Sequence, residues 1–153
     1  MWPETRKRTE FELTRLARLL QSNRELLDRV KVEEPDGTEL LAVSALVHSF
    51  YTGTENIFKR IALEIDQSVP AGQKWHSDLL LQMERATGNR SAVISEQLRL
   101  RLGEYMDFRH VFRHAYSFDL KWPKMRGLVV GIDDALRELS LAVEEFFVSS
   151  TDN

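Results

Sequence analysis

The chain has 153 residues, of which 42% are hydrophobic and 29% charged, with a net charge of −3 and no cysteine. That length fits a single domain able to bury its own core, and the lack of cysteine excludes a disulfide framework, a thiolate zinc site and a cysteine nucleophile. No apolar run approaches the ~20 residues of a membrane-spanning helix. Met1-Trp2-Pro3-Glu4 also lacks the apolar core of a signal peptide ahead of Arg6, Lys7 and Arg8, so a cytoplasmic location is expected.

Helical periodicity dominates a chain with only four prolines and seven glycines. The first helix is expected over Glu4 to Val30, with Pro3 suited to the opening turn and Phe11, Leu16, Leu19, Leu20, Leu26 and Leu27 as its apolar stripe. Glu33-Glu34-Pro35-Asp36-Gly37 reads as the turn that follows. A second helix is expected over Thr38 to Ile65, where Leu40, Val43, Val47, Phe50, Ile57, Ile61 and Ile65 recur by threes and fours. Gly53 inside it costs about 1 kcal/mol against alanine, which points to a close helix crossing or to the approach of a ligand. Gln67 to His76 reads as a loop containing Pro70 and Gly72, and a short third helix is expected over Ser77 to Ala86, closed by Gly88-Asn89.

The fourth helix is expected from an N-cap at Ser95 to His114, with Leu98, Leu102, Tyr105, Phe108 and Phe112 along one side. Tyr116 to Pro123 is then a connection, because a proline disfavours helix in the residue before it. The fifth helix is expected over Lys124 to Phe147, with Leu128, Ile132, Leu136, Leu139, Val143 and Phe146 inward, and Ser149 to Asn153 as a frayed tail. Long helices on short connections predict one all-α domain over residues 1–153, an antiparallel four- or five-helix bundle. Phosphate-loop and dinucleotide glycine motifs are absent from the sequence.

Charge is unevenly spread. From Gln97 to Arg126 seven basic residues face three acidic ones, so the segment is +4 and the rest of the chain −7. Such a segment is either a phosphate-binding patch or a solvated helix face. Within it, Arg109, Arg113 and His114 end a helix whose dipole favours cations there. His110 and His114, four apart, share a face and form an HxxxH pair, yet the Glu-x-x-His motifs of a di-metal bundle are missing and Asp107-x-x-His110 is the nearest approach. No metal and no cofactor is expected. His76 reads as a loop or capping residue.

The dipole does not account for the whole run Phe108-Arg109-His110-Val111-Phe112-Arg113-His114-Ala115-Tyr116. Arg109-x4-His114-x-Tyr116 resembles the Arg-x4-His-x-Tyr motif of HEPN domains, and in particular of the HepT-like ribonuclease toxins, where it also closes a late bundle helix. Many relatives have a polar residue, often Asn, directly after the arginine; His110 stands there in this chain. The resemblance extends over about residues 40 to 147. It takes in Tyr51-x-Gly53-x-Glu55-Asn56-Ile57-Phe58-Lys59-Arg60-Ile61-Ala62, then Gly72, Trp75-His76 and Leu79-Leu80, in that order.

The resemblance implies a metal-independent endoribonuclease acting as the toxin of a toxin–antitoxin pair. The 2′-OH of the RNA would attack its own phosphate, His114 would transfer protons and Arg109 would steady the phosphorane charge. His110 and Arg113 would assist. Arg109 and His114 lie about 140° apart on an ideal helix, so they converge only if the helix ends or distorts near His114. Family members are typically homodimers whose motifs meet at the interface, which would place two copies of His114 in one cleft. Tyr116 is either a packing residue at the end of the bundle or, by the resemblance, the hydroxyl that a partner nucleotidyltransferase antitoxin modifies with AMP. The competing expectation is a non-catalytic helical subunit that binds substrate or partner for a nucleotidyltransferase.

Overall fold

The structure, a computed structural model, describes residues 1–151, with side chains described through residue 150. Among the described residues seven α-helices follow one another: α1 Pro3–Ser22, α2 Arg24–Val30, α3 Gly37–Ile61, α4 Trp75–Glu84, α5 Glu96–His114, α6 Trp122–Val130 and α7 Ile132–Thr151. Among the described residues there is no strand, only an isolated bridge between Thr87 and Arg90. The fold is the expected all-α bundle.

Helix ends follow local chemistry. Asp36 caps α3 through a reciprocal box: its carboxylate accepts from Glu39 N at 2.8 Å, and Glu39 Oε1 accepts from Asp36 N at 3.1 Å. Ser95 Oγ accepts from Leu98 N at 3.1 Å and starts α5 where expected. α3 runs on into a single π turn, Ala62–Asp66, which Gln67 closes in the left-handed region at φ 55°.

Two expected helices are each broken once. The first divides at Asn23, which leaves the helical region at φ −118°, ψ 24° and whose side chain turns back to donate to Leu19 O at 2.9 Å. The last divides at Gly131, where a Cβ would sit 3.0 Å from both Arg101 Nη2 and Gly127 O, and Arg101 donates to the Gly131 carbonyl at 2.9 Å. Trp122 is helical, contrary to expectation. Pro123 occupies the first turn of α6, where its missing N–H has no helical partner to lose. Nor do Ser149 and Ser150 fray, since α7 continues through Thr151 and Ser150 Oγ donates to Phe146 O at 2.7 Å; Asp152 and Asn153 lie outside the described residues. Phe11 is 64% exposed and does not join the core stripe of α1.

α3 is the central element, packed against α1, α4, α5 and α6. Val43, Val47, Phe50, Tyr51, Ile57, Phe58 and Ile61 along it are almost wholly buried. Gly53 marks a close helix crossing: a Cβ there would overlap the side chain of Leu16 on α1. One turn earlier Phe50 meets Tyr105 of α5 edge to face at 5.0 Å, and the Tyr105 hydroxyl donates to Leu128 O at 2.7 Å. These contacts fix where α5 lies on α3, and so where its C-terminal end falls.

Candidate functional site

The buried face of α3 carries one carboxylate. Glu55 lies one turn beyond Tyr51 and is 2% exposed, so it needs partners. It has them from two other helices. Arg109 of α5 donates from Nη1 to Glu55 Oε1 at 2.8 Å, and His76 Nδ1, in the first turn of α4, lies 2.5 Å from Glu55 Oε2. Lys59 Nζ stands 3.9 Å from Oε1 and 4.2 Å from the centroid of the Trp75 ring. Trp75 lies against the His76 imidazole, with ring centroids 3.6 Å apart. Three helices are thus joined through one carboxylate.

The pairing changes the standing of two residues. Arg109 is not a free surface cation: its side chain is 15% exposed, and its Nε is buried without a partner. His76 is neither loop nor cap. It is helical and forms no capping hydrogen bond, and its ring is bonded to Glu55.

A cavity of about 230 Å³ opens beside this cluster, lined among others by His76, Arg109, His110, Arg113 and His114. α5 stays regular through His114 and then stops, with Ala115 extended at φ −96°, ψ 146°. Arg109 therefore reaches inward to Glu55 while His114 is exposed, and both still border the same cavity. The His110 and His114 rings meet edge to face, with centroids 4.9 Å apart. Among the described residues no set of three His, Cys, Asp or Glu side chains is placed to hold a metal ion. Wider clefts occur elsewhere, including one of about 920 Å³ between α1 and α3, but none of their linings includes a histidine.

Cations outnumber anions around the cavity. Lys74, Arg109 and Arg113 border it against Asp107, with Glu55 buried behind. His48, two turns before Glu55 on α3, registers these charges: burial first, then the charges of Arg109 and Arg113, hold its titration below the ordinary histidine range. Its ring packs against Phe112 at 5.2 Å.

Tyr116 lies outside the cavity lining. It is 71% exposed and stacks flat on Phe118, itself 72% exposed, at 5.4 Å. Its backbone N–H donates to Asp119 Oδ2 at 3.1 Å, which orders the turn after α5. The exposed phenol is not part of the bundle core of this chain.

Glu55 and His76 were missed as site residues by sequence reasoning. The signal was present: a glutamate one turn after Tyr51, inside the apolar stripe of a long helix, has to be answered by a cation from elsewhere.

Comparison with known proteins agrees with the motif. A family model described as HepT-like protein matches residues 42–149, more than two thirds of the chain, from α3 into α7. No similar curated protein and no similar solved structure was found. By that match and the arrangement of its α5 motif, the chain belongs to the HepT-like family.

Proposed function

We propose that the protein is an endoribonuclease toxin that cuts RNA without a metal ion, using the cavity at the C-terminal end of α5. The observation that carries this reading is the meeting of Arg109 and His114 on that one cavity, although they lie five positions apart on a regular helix. Glu55 binds the Arg109 guanidinium through Nη1 and fixes its orientation; with Nε buried, Nη2 is the group that would reach a phosphate oxygen. An exposed imidazole at the rim can exchange protons with a ribose hydroxyl. RNA supplies its own nucleophile, the 2′-OH, so the protein need contribute only a cation and proton-transfer groups.

In this reading the protein is a cytoplasmic homodimer whose two α5 ends line a shared groove for one RNA strand. Its activity is silenced by a cognate nucleotidyltransferase antitoxin. The exposed Tyr116 hydroxyl is the acceptor of the AMP group, whose charge and bulk at the mouth of the site would oppose RNA binding. One observation favours a second reading, a non-catalytic subunit that binds for a nucleotidyltransferase: the Arg109–Glu55 pair is as well suited to holding helices together as to binding phosphate.

Cleavage of labelled RNA by purified protein in the presence of chelator, lost in His114→Ala, separates the two. Growth arrest on expression should follow the same pattern. A folded wild-type protein that binds RNA or a nucleotidyltransferase but never cleaves supports the second reading.

A further inference from the structure

A single imidazole does not easily serve as both base and acid in one transesterification, and the reading above draws its second imidazole from a second protomer. Each protomer already holds another. His76 borders the same cavity as His114, 31% exposed at its side chain. A carboxylate paired to arginine can only accept, so the short contact to Glu55 places the proton of a neutral His76 ring on Nδ1 and leaves the lone pair on Nε2. A buried carboxylate that fixes the tautomer of an accessible imidazole is the arrangement found behind general bases in acyl-transfer enzymes. Trp75, tilted against the ring with centroids 3.6 Å apart, restricts it further.

We infer that His76 is the general base of the site, oriented by Glu55, and that His114 of the same chain is the general acid. This rests on the ribonuclease reading but removes its need for the partner's imidazole. His76 Nε2 takes the proton of the 2′-OH as the O2′–P bond forms. Arg109 holds a non-bridging oxygen of the phosphorane. The P–O5′ bond breaks, and the His114 imidazolium gives its proton to O5′. The products are a 2′,3′-cyclic phosphate and a 5′-hydroxyl, with one proton gained by His76 and one lost by His114, so no co-reactant is needed. The groups facing His76 are Glu55 and Lys59 from α3, Lys74 beside it, and Asp107, Arg109, His110, Arg113 and His114 from α5.

The test must separate proton transfer from the bracing of Glu55. His76→Asn keeps an N–H near the position of Nδ1, so it preserves the bond to Glu55 and removes only the titrating nitrogen. The expected result is a loss of about 10²–10⁴-fold in kcat/KM, with KM for RNA and the melting temperature held near wild type. The pH–rate profile of wild type should be bell-shaped. His76→Asn should lose the limb that rises with pH and His114→Ala the limb that falls. RNA with sulfur in place of the bridging 5′ oxygen, whose leaving group needs no acid, should rescue His114→Ala and not His76→Asn. If His76→Asn cleaves within about fivefold of wild type with both limbs intact, His76 is a brace and the inference is overturned while the ribonuclease reading stands. If wild type itself cleaves no RNA, both fall.

Discussion

Glu55 and Arg109, 54 positions apart in sequence, form the ion pair that joins the C-terminal part of α3 to that of α5. Glu55 is nearly inaccessible, and Arg109 is mostly buried. The pair is therefore part of the fold as well as of the site. Arg109 borders a half-closed cleft rather than open solvent, and mutational effects there will mix stability with chemistry.

Removing one member of a buried pair strands the other charge, at a cost of about 3–5 kcal/mol for full burial. Arg109 retains some exposure and His76 still contacts Glu55, so Arg109→Ala should cost ~3 kcal/mol, roughly 6–12 °C in Tm for a chain of this size. Glu55→Gln/Arg109→Ala should cost less than the sum of the two single changes, because the second removes a charge that the first has stranded. Thermal melts of the three variants decide it. A Tm for Arg109→Ala within 2 °C of wild type would show that the pair contributes nothing to the fold.

Gly53→Ala should be destabilising despite the better helix propensity of alanine. The added methyl overlaps Leu16, itself 4% exposed, and overpacking of this kind costs about 1–3 kcal/mol. Leu16→Ala opens a cavity when made alone. Combined with Gly53→Ala it should be less harmful than additivity predicts, since each change makes room for the other. Strict additivity in urea melts would mean that Leu16 moves aside freely.

Most of the fold is legible in the sequence because it depends on spacing. The apolar stripe of α3, the cap at Ser95 and the stop after His114 are all local properties. The breaks at Asn23 and Gly131 are less so: one depends on a side chain folding back on its own helix, the other on the approach of Arg101 from 30 residues away. The site divides in the same way. Arg109, His110, Arg113 and His114 lie within six residues of one another and can be found by motif. Glu55 and His76 reach the same place from α3 and α4, and only the crossing of helices brings them together. Tyr116 was equivocal because its exposure depends on the turn ordered by Asp119.

His48 gives a pH signature independent of catalysis. Its titration is depressed in the fold, first by burial and then by Arg109 and Arg113, so the unfolded chain binds this proton more readily than the native one. The stability it confers is fully present above the unfolded value of about 6.5 and is lost as pH falls below it toward the native value. His48→Gln should remove that part of the acid sensitivity. The Tm difference between variant and wild type should therefore move in favour of the variant between pH 7.5 and pH 5. A difference that stays constant over that range would mean that His48 titrates normally.

Assembly should be visible in solution. With two α5 ends sharing one RNA groove, static light scattering should give twice the chain mass of 17.8 kDa at micromolar concentration. Co-expression with a nucleotidyltransferase antitoxin should add the mass of AMP to the chain, and Tyr116→Phe should abolish the addition without changing the Tm, because the phenol is exposed. A clean monomer would remove the shared groove, and modification that persists in Tyr116→Phe would move the acceptor elsewhere.

The roles assigned to His114 and Arg109 predict different failures. His114 is exposed and, among the described residues, not paired to any carboxylate, so His114→Ala should leave the fold within about 0.5 kcal/mol of wild type. It should also leave RNA affinity largely intact, because its contribution is confined to proton transfer. Its cleavage rate should drop by about 10²–10⁴-fold. Arg109 acts on both sides of the barrier: a charge-assisted contact to phosphate exists in the bound substrate and strengthens as charge develops on the phosphorane. Arg109→Ala should therefore weaken RNA binding and cleavage together. Arg109→Lys separates charge from geometry. Lysine keeps the cation but not the planar fork, and it cannot hold Glu55 with one nitrogen while offering an adjacent edge to phosphate. It should restore part of the RNA affinity without restoring the rate. Single-turnover cleavage beside equilibrium RNA binding, each below the lowered Tm of the Arg109 variants, measures both quantities. Wild-type rates in a folded His114→Ala protein would remove His114 from proton transfer.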